Sequence, residues 1–307
     1  MKKILVATVK PFAPAAVDNI KEIVDKAGYE FILLEKYSDQ SELINAVKDV
    51  DAMIIRSDKA TKEVIEAAKN LKVIVRAGAG YDNIDLEAAT ENGVVAMNTP
   101  GQNSNAVAEL ALGMMVYLAR NGYNGKPGVE LKGKTLGIHA YGNVGKNVAR
   151  IAKGFGMKVF AFDPFVSKET IEKDGVTAVD TVEELYSTCN YISLHIPAND
   201  KTKKSINFEL LSKMPKDAVL VNTARKEVID EEGLIKIFTE KPGFKYIADI
   251  APDCKEEIAE KFEGRYFFTP KKMGAQTAEA NINAGAAAAN QIINYFEKGD
   301  TKFQVNK

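Results

Sequence analysis

Apolar residues come in two rhythms along the first third of the chain. Short β-branched runs are KILVATV (3–9), EFILLEKY (30–37), DAMIIRS (51–57), LKVIVRAG (71–78) and GVVAMNTPG (93–101). Between them lie stretches with helical spacing, such as PAAVDNIKEIVDKAG (14–28) and ATKEVIEAAKN (60–70). Pro14 stands near the start of the first helix and Gly28 at its end, the positions where each residue suits a helix terminus. Strand runs alternating with helical runs predict a parallel sheet with helices on both faces.

A long apolar helix follows, NSNAVAELALGMMVYLARNG (103–122), with Asn and Ser at its start as caps. YNGKPGVELKGK (123–134) carries Gly, Pro and lysines and reads as a connection. A second series then opens with TLGIHAYGNVGKNVARIAKGFGMKVFAFDPF (135–165). It continues through NYISLHIP (190–197), DAVLVNTAR (217–225), FKYIADIAP (244–252) and RYFFTP (265–270). An Ala-rich helix, AEANINAGAAAANQIINYFEKG (278–299), comes last, and no fixed-period repeat is visible. The expected fold class is α/β, with two doubly wound parallel-sheet domains. Residues 1–98 and 280–307 form one, and 99–279 form a second domain inserted into it, with the two long helices as crossings.

Composition removes several alternatives. Charged residues are 27% of the 307 and the net charge is -1, so there is no basic excess for nucleic acid. The opening MKKILVATVKPF has too short an apolar run for a signal or a membrane span. Cys189 and Cys254 are far apart, which indicates neither a disulfide framework nor a metal cluster. A cytoplasmic globular protein is expected. His139 and His195 are the two histidines, which limits the general bases available near neutral pH.

The segment 135–163 carries the strongest motif. A strand, Thr135 to His139, leads through Ala140, Tyr141, Asn143 and Val144 in a turn with Gly142 and Gly145, then a helix. Val144, Val148, Ile151, Ala152 and Phe155 share one helix face, Gly156 closes the helix, and the next strand ends in Asp163. Glycines let a pyrophosphate approach the backbone, and the helix N-terminus offers free N–H groups and a positive dipole end. Asp163 stands where an acid accepts from ribose hydroxyls and repels a 2′-phosphate, which favours NAD over NADP. The first glycine of the usual G-x-G-x-x-G is Ala140 here, which costs little if its backbone angle is negative. His139, inside the strand, reads as a packed histidine.

Several stretches together resemble the D-isomer-specific 2-hydroxyacid dehydrogenases: VRAGAGYDNIDLEAAT, NTPGQNS, LKGKTLGI, GMKVFAFDP, SLHIP, VNTARKEVIDEEGL and TPKKMGAQTAEA. They occur in the family's order over nearly the whole chain. The resemblance implies a Rossmann NAD domain inserted into a flavodoxin-like substrate domain, a cleft between them, and a homodimer formed through the NAD domain. It assigns Arg225 to the substrate carboxylate and carbonyl, where a fixed guanidinium fork suits two oxygens. It places Thr223, Ala224, His195, Asp249 and Gly274 beside the cofactor; for His195 a structural role at a strand end is equally open, and Asp249 also reads as a strand-end cap. Arg56 and Arg76 fall at positions that face a substrate phosphate, with Ser57 and Asn103 near, and the backbone of Gly78, Ala79 and Gly80 would hold the carboxylate.

Two departures fall at the centre of the chemistry. The family's T-P-H, whose histidine is the acid/base, is Thr269-Pro270-Lys271 here, and its glutamate partner position is Cys254, with Asp253, Glu256 and Glu257 nearby. Lys226 and Glu227 replace a glycine pair, and the 121–130 connection is shorter than the family's arm. The two central changes fit one another. A carboxylate raises the pKa of a histidine usefully, but would push a lysine further from neutrality. A catalytic lysine needs burial and positive neighbours instead, and Arg225 and Lys272 could supply the second. The expectation is therefore NAD-dependent oxidation of a phosphorylated 2-hydroxy acid, 3-phosphoglycerate, with Lys271 as acid/base and no metal. No regulatory domain is expected after the last helix. The alternatives are a reductase of an unphosphorylated acid (hydroxypyruvate, glyoxylate or pyruvate) and an NAD-sensing binding protein.

Overall fold

The computed structural model describes all of residues 1–307 and divides into two compact units. Unit 1 is Met1–Asn103 with Gln276–Lys307, and unit 2 is the uninterrupted segment Ser104–Ala275. The boundaries thus fall at 103/104 and 275/276, a few residues inside the expected 98/99 and 279/280. The two long helices begin at or just past these boundaries, the first at Ser104 in unit 2 and the last at Ala278 in unit 1.

Unit 1 carries five parallel strands, β1 (Lys3–Thr8), β2 (Glu30–Glu35), β3 (Ala52–Ile55), β4 (Val73–Arg76) and β5 (Val95–Asn98), in the order β2-β1-β3-β4-β5. That is the flavodoxin-like order. Along β1, Ile4 and Val6 enter one core while Leu5 and Ala7 enter the other, and all four are fully buried. Strands covered on both faces are apolar without alternation, which explains the runs seen in the sequence. Helices α1 (Pro14–Lys26), α2 (Gln40–Ala46), α3 (Lys62–Ala67) and α4 (Leu86–Glu91) cover the sheet.

Unit 2 contains helices α5 (Ser104–Ala119), α6 (Asn143–Gly154), α7 (Lys168–Lys173), α8 (Val182–Thr188), α9 (Phe208–Ser212), α10 (Glu231–Glu240) and α11 (Lys255–Lys261). Its strands are β6 (Thr135–His139), β7 (Lys158–Phe162), β8 (Thr177–Ala178), β9 (Tyr191–Leu194), β10 (Val219–Asn222), β11 (Lys245–Ala248) and β12 (Tyr266–Phe268). The order is β12-β11-β10-β9-β6-β7-β8, all parallel. The chain winds outward both ways from β6 and β9, so the switch point lies between them, where dinucleotides bind in such sheets. The expected pair of doubly wound domains is what the structure contains.

The last helix, α12 (Ala278–Lys298), belongs to unit 1 and packs on α1. Thr277 caps it, its Oγ1 accepting from the Ala280 N–H at 3.1 Å. Beyond it Asn306 is tied to β5: its Oδ1 accepts from the Ala96 N–H, and its Nδ2 donates to the Val94 carbonyl, both at 2.8 Å. No helix is long and apolar enough to cross a membrane.

Candidate active site

In unit 2 the turn after β6 is built by close approach. A Cβ on Gly145 would stand 2.4 Å from the Ala140 carbonyl oxygen, so only glycine lets α6 start this near the strand. Gly142 is the N-cap of α6; no side chain caps that end, and its first turn holds no acid. Its amides and dipole are open to an anion. Ala140 has φ +80°, so the condition under which alanine costs little is not met, and alanine is strained there. Its amide is held to β7 by a 2.9 Å bond to the Phe162 carbonyl.

Asp163, just past β7, accepts from the Tyr141 N–H at 2.7 Å and the Phe165 N–H at 2.8 Å. Its carboxylate is thus fixed beside the glycine turn, with lone pairs left for ribose hydroxyls. The Tyr141 side chain is fully buried and donates to Asp174 at 3.1 Å, so only its backbone is at the turn. His139 meets the Tyr186 hydroxyl at 3.2 Å and His195 meets the Ser193 hydroxyl at 3.0 Å. Burial lowers their pKa values from 6.5 to about 4 and about 3. Both rings are neutral near pH 7; His139 is bonded to α8 through Tyr186 and His195 to β9 through Ser193, the packed role expected for His139.

At the end of β10, Asn222 shapes the next turn. Its Oδ1 accepts from the Ala224 N–H and its Nδ2 donates to the Arg225 carbonyl, both at 3.0 Å. The part-buried Arg225 guanidinium donates through Nη1 to the Ala224 carbonyl at 2.9 Å, leaving the other arm of the fork. Thr223 is 7% exposed and its buried Oγ1 has no hydrogen-bond partner in the protein. An orphaned buried hydroxyl is costly, and a bound amide or hydroxyl would satisfy it. The close turn at Gly145, the fixed Asp163 and the orphaned Thr223 fit a dinucleotide.

Asp249 ends β11 and is 1% exposed. Its Oδ1 accepts from the Met273 N–H at 2.7 Å and the Thr269 hydroxyl at 3.1 Å, and its Oδ2 from the Gly274 N–H at 2.8 Å. The carboxylate therefore fastens the loop that carries Lys271, as strand-end capping implies. A Cβ on Gly274 would meet Asp249 Oδ2 at 2.9 Å. Thr269 also donates to the Lys271 carbonyl at 2.8 Å. The backbone of Lys271 is thus well held, while the side chains of Lys271 and Lys272 are exposed rather than buried.

Of the acids near the family's glutamate position, Asp253 and Glu257 are paired with lysines, Lys226 and Lys261. Burial, reinforced by Glu231, pushes the Cys254 thiol up to about 12, so it carries no charge that could replace a carboxylate. Glu231 accepts from the Asp253 and Cys254 N–H groups at 2.8 and 2.9 Å. Asp253 pairs with Lys226 at 2.6 Å. A cavity of about 940 Å³ is lined by Lys226, Asp253 and Cys254, but not by Arg225, Asp249 or Lys271.

In unit 1, Arg76 ends β4 and its Nε donates to the Arg56 carbonyl at 2.9 Å. The Arg56 guanidinium lies 4.9 Å from the Phe12 ring centroid and donates to the Pro11 carbonyl at 3.2 Å. Gly78 has φ +149°, and a Cβ there would stand 1.6 Å from Arg76 Nη1. Asn98 holds the same loop, its Nδ2 donating to the Ala79 carbonyl at 2.6 Å. Ser57 is exposed, and Gly80 and Asn103 are partly buried. Asn222 was missed by the sequence reading, although an asparagine at a strand end is itself a turn signal.

A profile described as D-isomer specific 2-hydroxyacid dehydrogenase, NAD binding domain, matches residues 113–260, within unit 2. Among curated proteins, a D-3-phosphoglycerate dehydrogenase of Methanocaldococcus jannaschii is 40% identical over 272 residues, 82% of this chain and 51% of the relative. A hydroxypyruvate reductase of Thermotoga maritima is 36% identical over 283 residues, 86% of this chain and 90% of the relative. The chain spans about half the length of the first curated phosphoglycerate dehydrogenases it matches. Among solved structures, an NAD+-bound 3-phosphoglycerate dehydrogenase of Entamoeba histolytica is 51% identical with a TM-score of 0.88, covering 100% of this chain and 99% of that one. The order of the sheets, the glycine turn with Asp163 fixed beside it and these matches agree: the chain belongs to the D-isomer specific 2-hydroxyacid dehydrogenases.

Proposed function

We propose that this chain oxidises 3-phosphoglycerate to 3-phosphohydroxypyruvate with NAD. The observation that carries the reading is the pair Arg56 and Arg76 in unit 1, where β3 and β4 run side by side and Arg76 Nε bonds the Arg56 carbonyl at 2.9 Å. Two guanidiniums at neighbouring strand ends suit a dianionic phosphate, which an unphosphorylated acid lacks. Similarity to the Entamoeba phosphoglycerate dehydrogenase supports the same substrate.

The residues divide the work as follows. Arg225 binds the carboxylate and the oxygen on C2 with its planar fork, which aligns C2 and stabilises charge on that oxygen. The neutral Lys271 amine takes the C2 hydroxyl proton in oxidation, and its ammonium returns it in reduction. Asp249 keeps that amine's loop in place through three hydrogen bonds. NAD, when bound, would supply the acceptor for the hydride leaving C2. Gly142 to Val144 would bind its pyrophosphate, Asp163 its adenosine ribose, and Thr223 its nicotinamide end. The active assembly is proposed to be a homodimer, which light scattering of the purified chain checks.

A second reading, reduction of an unphosphorylated 2-oxo acid, is favoured by the match over 90% of the Thermotoga hydroxypyruvate reductase. NADH oxidation with 3-phosphohydroxypyruvate, hydroxypyruvate, glyoxylate and pyruvate separates the two. A kcat/KM at least about tenfold higher for the phosphorylated acid is expected, since the guanidiniums recognise a group the others lack. A preference for hydroxypyruvate selects the second reading. No turnover with any acid leaves an NAD-binding protein that is not a dehydrogenase.

A further inference from the structure

Asp58 is a buried acid, 6% exposed, that the chemistry above does not use. It follows Arg56 by two positions, and its charge acts through space to favour the protonated guanidinium of that residue. Three N–H and O–H donors hold it in place. Its Oδ1 accepts from the Val9 N–H at 2.6 Å and the Tyr37 hydroxyl at 2.8 Å, and its Oδ2 from the Arg56 N–H at a longer 3.4 Å. A buried carboxylate survives only where such bonds replace water. Here they join the segment after β1, the Tyr37 turn after β2 and the segment after β3.

Those are the segments on which Arg56 rests. Its guanidinium donates to the Lys10 and Pro11 carbonyls at 3.4 and 3.2 Å and lies over Phe12, all in the segment that begins at Val9. Its carbonyl receives Arg76 Nε at 2.9 Å and Asn83 Nδ2 at 3.2 Å. Asn83 Nδ2 also donates to the Asp58 carbonyl at 2.6 Å. The backbone of residue 56 is thus where both arginines are anchored, and the carboxylate two residues on locks it to the support beneath the Arg56 side chain.

We propose that Asp58, with Tyr37 behind it, is the positioning residue of the phosphate site: it touches no substrate and acts by fixing Arg56, and through the Arg56 carbonyl Arg76. The proposal rests on the phosphate reading of the two arginines. It competes with a simpler electrostatic idea, in which a carboxylate beside the site repels a dianion. The two differ in sign.

The test measures KM and kcat for 3-phosphohydroxypyruvate and hydroxypyruvate in Asp58→Asn, Arg56→Ala and the double variant. Asp58→Asn is expected to raise KM for the phosphorylated acid about fivefold relative to hydroxypyruvate, roughly the net worth of one ordinary hydrogen bond, since the amide keeps one acceptor oxygen. It should add nothing in the Arg56→Ala background, because positioning works only through that side chain. A lower KM for the phosphorylated acid, equal changes for both acids, or full additivity overturns the proposal while leaving the phosphate reading intact. If Arg56→Ala itself fails to discriminate between the acids, the phosphate reading falls and the proposal with it. Should Asp58→Asn not fold, Tyr37→Phe removes a single donor from the same carboxylate and must shift the KM ratio in the same direction; no shift overturns the proposal.

Discussion

Ala140→Gly should stabilise unit 2. The residue stands at φ +80°, where the alanine Cβ crowds its own carbonyl, a strain of roughly 1–2 kcal/mol. Glycine removes that strain but gives the unfolded chain more freedom, at about 0.4–1 kcal/mol. It also deletes a methyl that is only partly buried against the core below the turn, a loss well under the roughly 0.8 kcal/mol of a fully buried methylene. Strain is the largest of the three, so a net gain of about 0.5 kcal/mol is expected, a rise of roughly 1–2 °C in the unfolding midpoint of a unit this size. Urea unfolding followed by circular dichroism, with and without NAD, is the assay. NAD affinity should hold or improve, since the backbone shape is unchanged and glycine fits it without strain. A midpoint that falls, with m unchanged, would refute the ordering of these terms. Ala140→Val supplies the opposite arm: a β-branched residue at this angle should destabilise by more than 1–2 kcal/mol, as on the order of the strain alone.

Gly145→Ala should weaken NAD binding about a hundredfold, because a Cβ 2.4 Å from the Ala140 oxygen moves α6 by about 1 Å; fluorescence titration with NADH checks this, and a Kd within twofold of the parent counts against it. Asp163→Ser should narrow the NAD over NADP preference in kcat/KM, and an unchanged ratio removes Asp163 from the ribose site. Lys271→Ala should lose about 10² to 10⁴ in kcat while still binding NADH, whereas Lys272→Ala loses much less. Retention of most activity in Lys271→Ala at every pH would make it a loop charge only. Burial depresses the pKa values of His139 and His195 from 6.5 to about 4 and about 3, so the unfolded chain binds protons that the fold refuses. Stability is therefore full above pH 6.5 and falls as the pH drops toward 4 and then 3, by up to about 1.4 kcal/mol per pH unit for each ring. His139→Gln should flatten that slope in urea titrations between pH 7 and 4.

Much of the fold was legible because unit 1 and unit 2 bury both faces of their sheets. Runs such as KILVATV and NYISLHIP are apolar at nearly every position for that reason, and helices at helical spacing must lie between them. Elements too short to show a period escaped: β8 has two residues and α9 five. The glycine turn could be placed from its spacing, but the sign of φ at Ala140 could not, since the strand geometry on either side sets it. Partners of buried acids were the least legible. Asp249 reaches the amides of Met273 and Gly274, 24 and 25 positions away, and Asp58 reaches Val9 across 49. Those pairings depend on which strand ends lie side by side, information that no local pattern carries. Cys254 shows the limit from the other side: its identity revealed the missing carboxylate, but only its burial, with Glu231 beside it, reveals a neutral thiol in its place.

The insertion of one unit into the other orders their folding in time. Everything unit 2 needs lies in one uninterrupted stretch, so it can close its core while later residues are still being synthesised. Unit 1 cannot. Its α1 faces are covered by α12, and β5 waits for Asn306, 210 residues beyond the Ala96 amide it bonds. Until those residues emerge, a sheet with an uncovered apolar face stays exposed to aggregation, and closing so long a loop is slow. A chain stopped after Ala275 should therefore contain a cooperatively unfolding unit 2 joined to an unstructured, protease-sensitive 1–103 segment.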